Sequence, residues 1–356
     1  MRPERPHQAC RVHCTPRWLR PLRRRWPLLL LFVAALALLT TRFVEMRQLA
    51  STLARGHWPW LAASVVLQVV YYGLYAVLFH YSFLTVGIRG RLRELVPALF
   101  VSIFVGTVAP GGGVTSAAVL IEDARRRQQS PARTAEGILL AWVAGLGGIV
   151  PLLLVALGYL YLRHALQPYQ AVGAILFLLY TALLGGILLV AMWQPRRLHR
   201  LLRRLQGIVN RLLARMRRPP LPADWAHRNA AESTGAAIAI VRRPIQVART
   251  LGVALAAQLV NLASLYTLFL AFEGLVGLGA LVAGLAFGHV FGIISIIPFD
   301  LGMVEGVMTL VYTSLGVPAA TALVVVLAFR GLNAWLPVAV GFLMFRWILP
   351  RSRRGG

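Results

Sequence analysis

The chain has 356 residues, of which 58% are hydrophobic and only 13% charged, a balance that excludes an ordinary soluble surface. Its formal net charge of +26 comes from 37 basic residues, all of them arginine, against 11 acids. In a soluble protein that excess would point to nucleic acid. Here the arginines cluster between apolar runs, so the charge reads as membrane topology and as contact with anionic lipids, and no nucleic acid partner is expected.

In chain order, residues 1–25 carry eight arginines and several prolines and read as a basic cytoplasmic tail. Cys10 and Cys14 lie in it, in a compartment expected to be reducing, so neither a disulfide nor a metal site is expected there. The apolar run 26–44 is too long for the core of a signal peptide and reads as an uncleaved first span. A second span covers 58–86, and interfacial anchors are expected among Trp58, Trp60, Tyr71 and Tyr72. The run 95–121 follows, interrupted by Pro110, Gly111, Gly112 and Gly113. Further spans cover 136–162, 169–193, 250–272, 277–297, 303–315 and 319–348.

This predicts an all-α membrane protein with about eight transmembrane helices and two broken or re-entrant segments. The transmembrane domain would occupy 26–346, as halves 26–193 and 248–346 joined by a cytoplasmic connector, 195–247. A basic cytoplasmic tail, 347–356, would follow. In the connector, Leu198, Leu201, Leu202 and Leu205 fall at helical spacing, with Arg196, Arg197, Arg200, Arg203, Arg204 and Arg211 mostly between them. That pattern suits an interfacial helix whose arginines meet anionic head groups.

Orientation follows from the arginine count. With the N-terminus in the cytoplasm, 32 arginines lie inside and four outside (Arg42, Arg47, Arg55 and Arg163), with Arg330 within a span. This split requires both flanks of 95–121 to face the cytoplasm. The segment should therefore turn back at its Pro-Gly break, in a place that protein buries or a wet cavity meets.

The pattern recurs. Pro110 stands 21 residues before Pro131, and Pro298 stands 20 before Pro318. Pro131 opens Pro-Ala-Arg-Thr-Ala and reaches Trp142 eleven residues on, while Pro318 opens Pro-Ala-Ala-Thr-Ala and reaches Phe329 eleven on. Paired broken helices entering from opposite sides make an inverted-topology repeat. The second broken segment would open outward and turn at 298–302, although two ordinary spans give the same loop sidedness.

Few polar groups lie at membrane depth. Arg330 is twelve residues into the last span, and Asp300 and Glu305 are the nearest acids in sequence, so Arg330 should pair with one of them. Such a pair serves either as a structural clamp or as a phosphate receptor. Glu305 stands near the start of a short helix, where the dipole favours an anion. His289, Gln258, Asn261 and Asn333 read as interhelical hydrogen-bonders. Gly111, Gly112 and Gly113 suit a turn whose free amides can also receive a phosphate. Glu122 and Asp123 imitate the acid pair of a metal-dependent glycosyltransferase, but beside Arg125, Arg126 and Arg127 they read as a charge-balanced boundary. Lysine is absent, so no phosphate-binding Gly-Lys-Ser/Thr loop exists and ATP-driven transport by this chain is not expected.

One stretch carries a family pattern: Ile297-Pro298, Gly302, Glu305, Gly316-Val317-Pro318, Ala322, Phe329-Arg330, Trp335-Leu336-Pro337 and Gly341. This resembles the flippase-like family that includes the transmembrane domain of lysylphosphatidylglycerol synthase, over roughly residues 60–346. The resemblance implies a bundle with two re-entrant elements in a bacterial cytoplasmic membrane, acting on a phospholipid or a lipid-linked molecule. Where that family often has an arginine after its first Pro-Gly, and an acid shortly beyond, this chain has Val114, Thr115 and Ser116. The chain ends at Gly356, so an aminoacyl-transferase domain is not expected.

The expected function is a lipid translocator that needs no cofactor and is not an enzyme. Its substrate site would draw on Pro298, Asp300, Gly302, Glu305 and Arg330, and on Pro110 and Gly111–Gly113. The alternatives are a membrane-embedded transferase using a polyprenyl-phosphate-type lipid and a non-transporting partner of a lipid-modifying enzyme. Homo-oligomerisation is open to any of them.

Overall fold

The computed structural model describes residues 56–88, 90–108, 112–193, Gly207, Arg211, and 243–348 other than 275, 296–299 and 301. The expected first span 26–44, both tails and the arginine-faced helix of the connector lie outside the described residues, apart from Gly207 and Arg211. The described residues form α1 (Trp58–Thr85), α2 (Leu92–Val108), α3 (Gly113–Arg126), α4 (Pro131–Leu162) and α5 (Pro168–Trp193). After the connector come α6 (Pro244–Ala271), α7 (Leu278–Ile294), α8 (Met303–Ser314), α9 (Ala319–Arg330) and α10 (Leu336–Ile348). A π-helical segment, Gly331–Trp335, joins the last two.

Among the described residues, five stretches are long and apolar enough to cross a membrane: α1, α4, α5, α6 and the run from α9 into α10. Proline in the first turn starts α1, α4 and α6, where its missing N–H and fixed φ cost nothing. Ser130 caps α4 by accepting a hydrogen bond from the Arg133 N–H.

The organising contact is between α1 and α6, which run antiparallel. The His57 N–H donates to the Ala271 carbonyl at 2.9 Å. The Ser64 and Ser264 hydroxyls meet at 3.0 Å, and the Arg243 guanidinium donates to the Leu84 carbonyl at 2.8 Å. The chain segments that begin with α1 and with α6 therefore start at opposite ends of the bundle.

Each of these helices is followed by a helical hairpin. In the first, α2 and α3 bring their outer ends together, where Arg127 bonds the Glu94 carboxylate at 2.6 Å. In the second, Gly284 of α7 faces Tyr312 of α8, Gly288 faces Met308, and Gly292 faces Val304, a spacing that only antiparallel helices give. Cβ atoms at Gly284 and Gly288 would clash with those side chains, so glycine sets how closely the two helices approach.

Element lengths recur as well. α1 and α6 each have 28 residues, and α2 and α7 each have 17. α3 has 14 and α8 has 12. The 32 residues of α4 answer to the 12, 5 and 13 of α9, the π segment and α10. Packing is reciprocal too: α4 lies along α7, and α10 lies along α2. The main core gathers buried residues of α4, α6, α7, α8 and α9, among them Leu153, Phe269, Phe287, Tyr312 and Val326. A smaller cluster around the first hairpin includes Phe79, Phe83, Leu99, Leu120 and Ile138.

Candidate functional site at the second break

The second hairpin turns through Asp300 and Gly302, both in the left-handed region with φ of 52° and 77°. Gly302 takes that conformation without strain and becomes the N-cap of α8. Glu305 in the first turn of α8 reaches back, and its Oε2 accepts the Gly302 N–H at 2.9 Å. Its other oxygen, Oε1, accepts from Arg330 Nε at 3.1 Å. The two side chains are 11% and 16% exposed. One carboxylate thus closes the helix start, meets the helix dipole and neutralises the guanidinium of the last span. Removing one partner of such a buried pair costs about 3–5 kcal/mol.

Of the two partners the sequence offers Arg330, Glu305 forms the ion pair. Asp300 is electrostatically coupled to both, and its carboxylate hydrogen-bonds the Ser295 side chain. It lies 3.5 Å from where a Cβ on Gly292 would stand, against the last turn of α7.

Behind Arg330 the helix widens into the π segment, a local unwinding that often marks functional positions. The Tyr72 hydroxyl of α1 donates to the Asn333 carbonyl. The Asn333 side-chain amide donates to Asn261 Oδ1 of α6 at 3.0 Å. The polar seam continues along α1 and α6 through Gln68, Ser264 and Ser64.

Several expectations change here. Tyr72 is not an interfacial anchor: it is buried mid-helix, while Trp58 and Trp60 stay exposed near the helix end. The His289 bond seen among the described residues stays within its own helix, its Nδ1 contacting the Leu285 carbonyl one turn back in α7 at 2.9 Å. Asn261 and Asn333 do bond across helices. Gln258 Oε1 has no hydrogen-bond partner among the described residues.

Gly112 and Gly113 stand at the first break, where Gly112 caps α3 with φ of 44°. A Cβ on Gly113 would lie 3.3 Å from the Trp142 ring of α4. Pro110, Gly111 and Pro298 lie outside the described residues, as do Arg196, Arg197, Arg200, Arg203 and Arg204. Arg211 is exposed and donates to the Gly207 carbonyl one turn back.

The acids at the foot of the first hairpin are neutralised locally. Glu122 pairs with Arg126 at 3.3 Å and Asp123 with Arg127 at 2.8 Å. Among the described residues, no group of three or more His, Cys, Asp or Glu side chains is placed to hold a metal ion.

Sequence reasoning missed Tyr72 and the seam it belongs to. The signal was present as Ser64, Gln68 and Tyr72 at four-residue steps, one face of α1.

The family described as lysylphosphatidylglycerol synthase TM region matches residues 27–341. The chain belongs to that family. Membership covers both hairpins, the α1–α6 seam and the Arg330–Glu305 pair, and makes the chain a membrane protein of lipid metabolism or translocation. No curated protein matches the chain.

Proposed function

We propose that this family member moves a phospholipid or lipid-linked molecule across the bacterial cytoplasmic membrane without ATP, its two hairpins serving as re-entrant halves of an inverted repeat. At 1.5 Å per residue, the 17 residues of α2 and the 12 of α8 extend about 25 Å and 18 Å, short of a hydrocarbon core of about 30 Å. The open end of the first hairpin carries Arg91, Arg93, Arg125, Arg126 and Arg127, which favours the cytoplasm for that end. At the opposite end, the loops 272–277 and 315–318 contain no arginine and the loop 163–167 carries one, Arg163.

The observation that carries the proposal is the Arg330–Glu305 pair beside a broken helix. Arg330 is a bidentate donor suited to a phosphate, and Glu305 is a competitor already held by the Gly302 amide. A lipid phosphate entering the break takes Glu305's place on the guanidinium, while the acyl chains stay in lipid. When the phosphate leaves, Glu305 returns and the cation is not left unpaired at depth.

The test is fluorescent-phospholipid flipping in proteoliposomes, read by dithionite quenching, for wild type, Arg330→Ala and Arg330→Lys. Flipping by wild type that Arg330→Ala loses and Arg330→Lys only weakens supports the proposal. Undiminished flipping by a folded Arg330→Ala protein refutes Arg330's role, and wild-type activity no greater than that of empty vesicles refutes translocation of the lipid tested.

A further inference from the structure

Among the described residues, the charges around the second break do not balance. Asp300 and Glu305 are two carboxylates, and Arg330 is one guanidinium. The groups facing them can be taken element by element. α7 contributes His289, and α1 contributes Tyr72, both within electrostatic range of Arg330. The stretches 137–158 of α4, 168–193 of α5 and 251–271 of α6 contain no charged residue and no histidine. With both acids ionised, the described residues of the break carry one surplus negative charge, and a break within the bilayer is where unpaired charge is strongly disfavoured.

A second observation points to what balances it. Asn261 is fully buried, and its Oδ1 serves Asn333 in the π segment, yet its Nδ2 has no hydrogen-bond partner among the described residues. Gln258 Oε1, one turn along α6, is likewise buried with no partner among the described residues. On α8, Thr309 Oγ1 is in the same position one turn beyond Glu305. Buried polar atoms of this kind are satisfied by ordered water, and polar residues alone give such water a path through the bundle. Thr267, Ser64, Ser264, Gln68 and Asn261 run from the arginine-poor end of the α1–α6 seam down to Asn333 and Tyr72, beside Arg330.

We infer that the second break is a proton-binding site, in which Asp300 takes up a proton delivered through water in the α1–α6 seam while Glu305 keeps the pair with Arg330. The inference rests on reading the break as the place where a lipid phosphate binds. A phosphate approaching the deprotonated break meets a net negative site. With the proton on Asp300 the break is neutral, and Arg330 can exchange Glu305 for the phosphate. Proton and phosphate therefore favour each other's binding, and by linkage the coupling is reciprocal. The proton enters from water at the arginine-poor end, rests on an Asp300 oxygen, and leaves to water after the phosphate departs.

The test is pH-difference infrared spectroscopy on the reconstituted full-length protein without added substrate. The expected result is a protonated-carboxyl band that grows on acidification, that Asp300→Asn abolishes and Asp300→Glu restores in shifted form. Glu136→Gln, which removes a buried acid of α4 outside this cluster, should leave that band in place. In pH-jump experiments, Asn261→Leu should slow the band's response to external pH without changing its midpoint. Absence of the band in wild type, its persistence in Asp300→Asn, or an unchanged rate in Asn261→Leu overturns the inference. These readouts need no lipid movement, so a failure of flipping with the band intact would remove the translocator reading alone.

Discussion

The two hairpins are built to one plan and filled with opposite chemistry. Counted from the helix start, Trp142 in α4 and Arg330 in α9 are both the twelfth residue, and each faces the start of the short helix in its own hairpin. In the first hairpin the contact is an indole ring against Gly113. In the second it is a guanidinium against Glu305. The surroundings differ in the same sense: the second hairpin is packed into the main core, while the first sits in a smaller cluster of its own. A buried ion pair needs a framework that holds both partners, and the second hairpin supplies it. The first needs only a surface for a ring to cover. Duplicated geometry thus leaves room for one polar break and one apolar break.

The largest expected effect comes from removing the acid. Glu305→Ala leaves Arg330 without its carboxylate and Gly302 without its cap, and should destabilise the fold by about 3–5 kcal/mol. Thermal unfolding in detergent, followed by size exclusion, would register it. If Glu305→Ala melts like wild type, the two breaks are not different in kind. Next comes Trp142→Ala. Loss of a partly buried indole should cost about 3 kcal/mol while sparing flipping more than Arg330→Ala does, and equal damage to transport would give the first break a direct role.

A smaller contrast concerns glycine. A Cβ at Gly106 would meet the Ser116 Cβ at 2.8 Å and the Gly112 carbonyl at 3.0 Å, whereas one at Gly288 meets only side-chain atoms, Met308 Sδ at 2.7 Å and Cγ at 2.8 Å. Gly106→Ala should therefore cost about 1–3 kcal/mol, and Gly288→Ala less, both read from melting temperatures. The reverse order would mean that the second hairpin is the more tightly constrained. Smallest is Tyr72→Phe, which removes one hydrogen bond to the π segment and should cost about 1 kcal/mol.

Much of this was legible in the sequence because a membrane simplifies the problem. Apolar length locates helices: the segment expected as a span at 303–315 is the helix Met303–Ser314, but at 12 residues it is not among the stretches long enough to cross a membrane. The break at Pro110–Gly113 separates α2 from α3, and Glu305 is the carboxylate that Arg330 pairs with. What stayed hidden was of two kinds. Proline and glycine announce a broken helix, but the π segment at Gly331–Trp335 coincides with tertiary contacts of Asn333 with Tyr72 and Asn261, which no local pattern announces. Burial on the seam likewise depends on which faces of α1 and α6 meet, so Tyr72 looked like an interfacial tyrosine. Local chemistry also drew His289 to its own helix, because a carbonyl one turn back lies within reach of Nδ1 wherever the side chain bends that way.

The antiparallel α1–α6 seam also sets a problem of timing. Ser64 meets a partner 200 residues further along the chain. At about 5–20 residues per second, synthesis takes roughly 10–40 s to deliver it. During that interval α1 has already left the ribosome with Ser64, Gln68 and Tyr72 on a single face and no α6 to cover them. The insertion machinery, or a chaperone bound beside it, must shelter that face from lipid until the second half of the chain arrives. Biogenesis, rather than the finished fold, is where the polar seam is most exposed to failure.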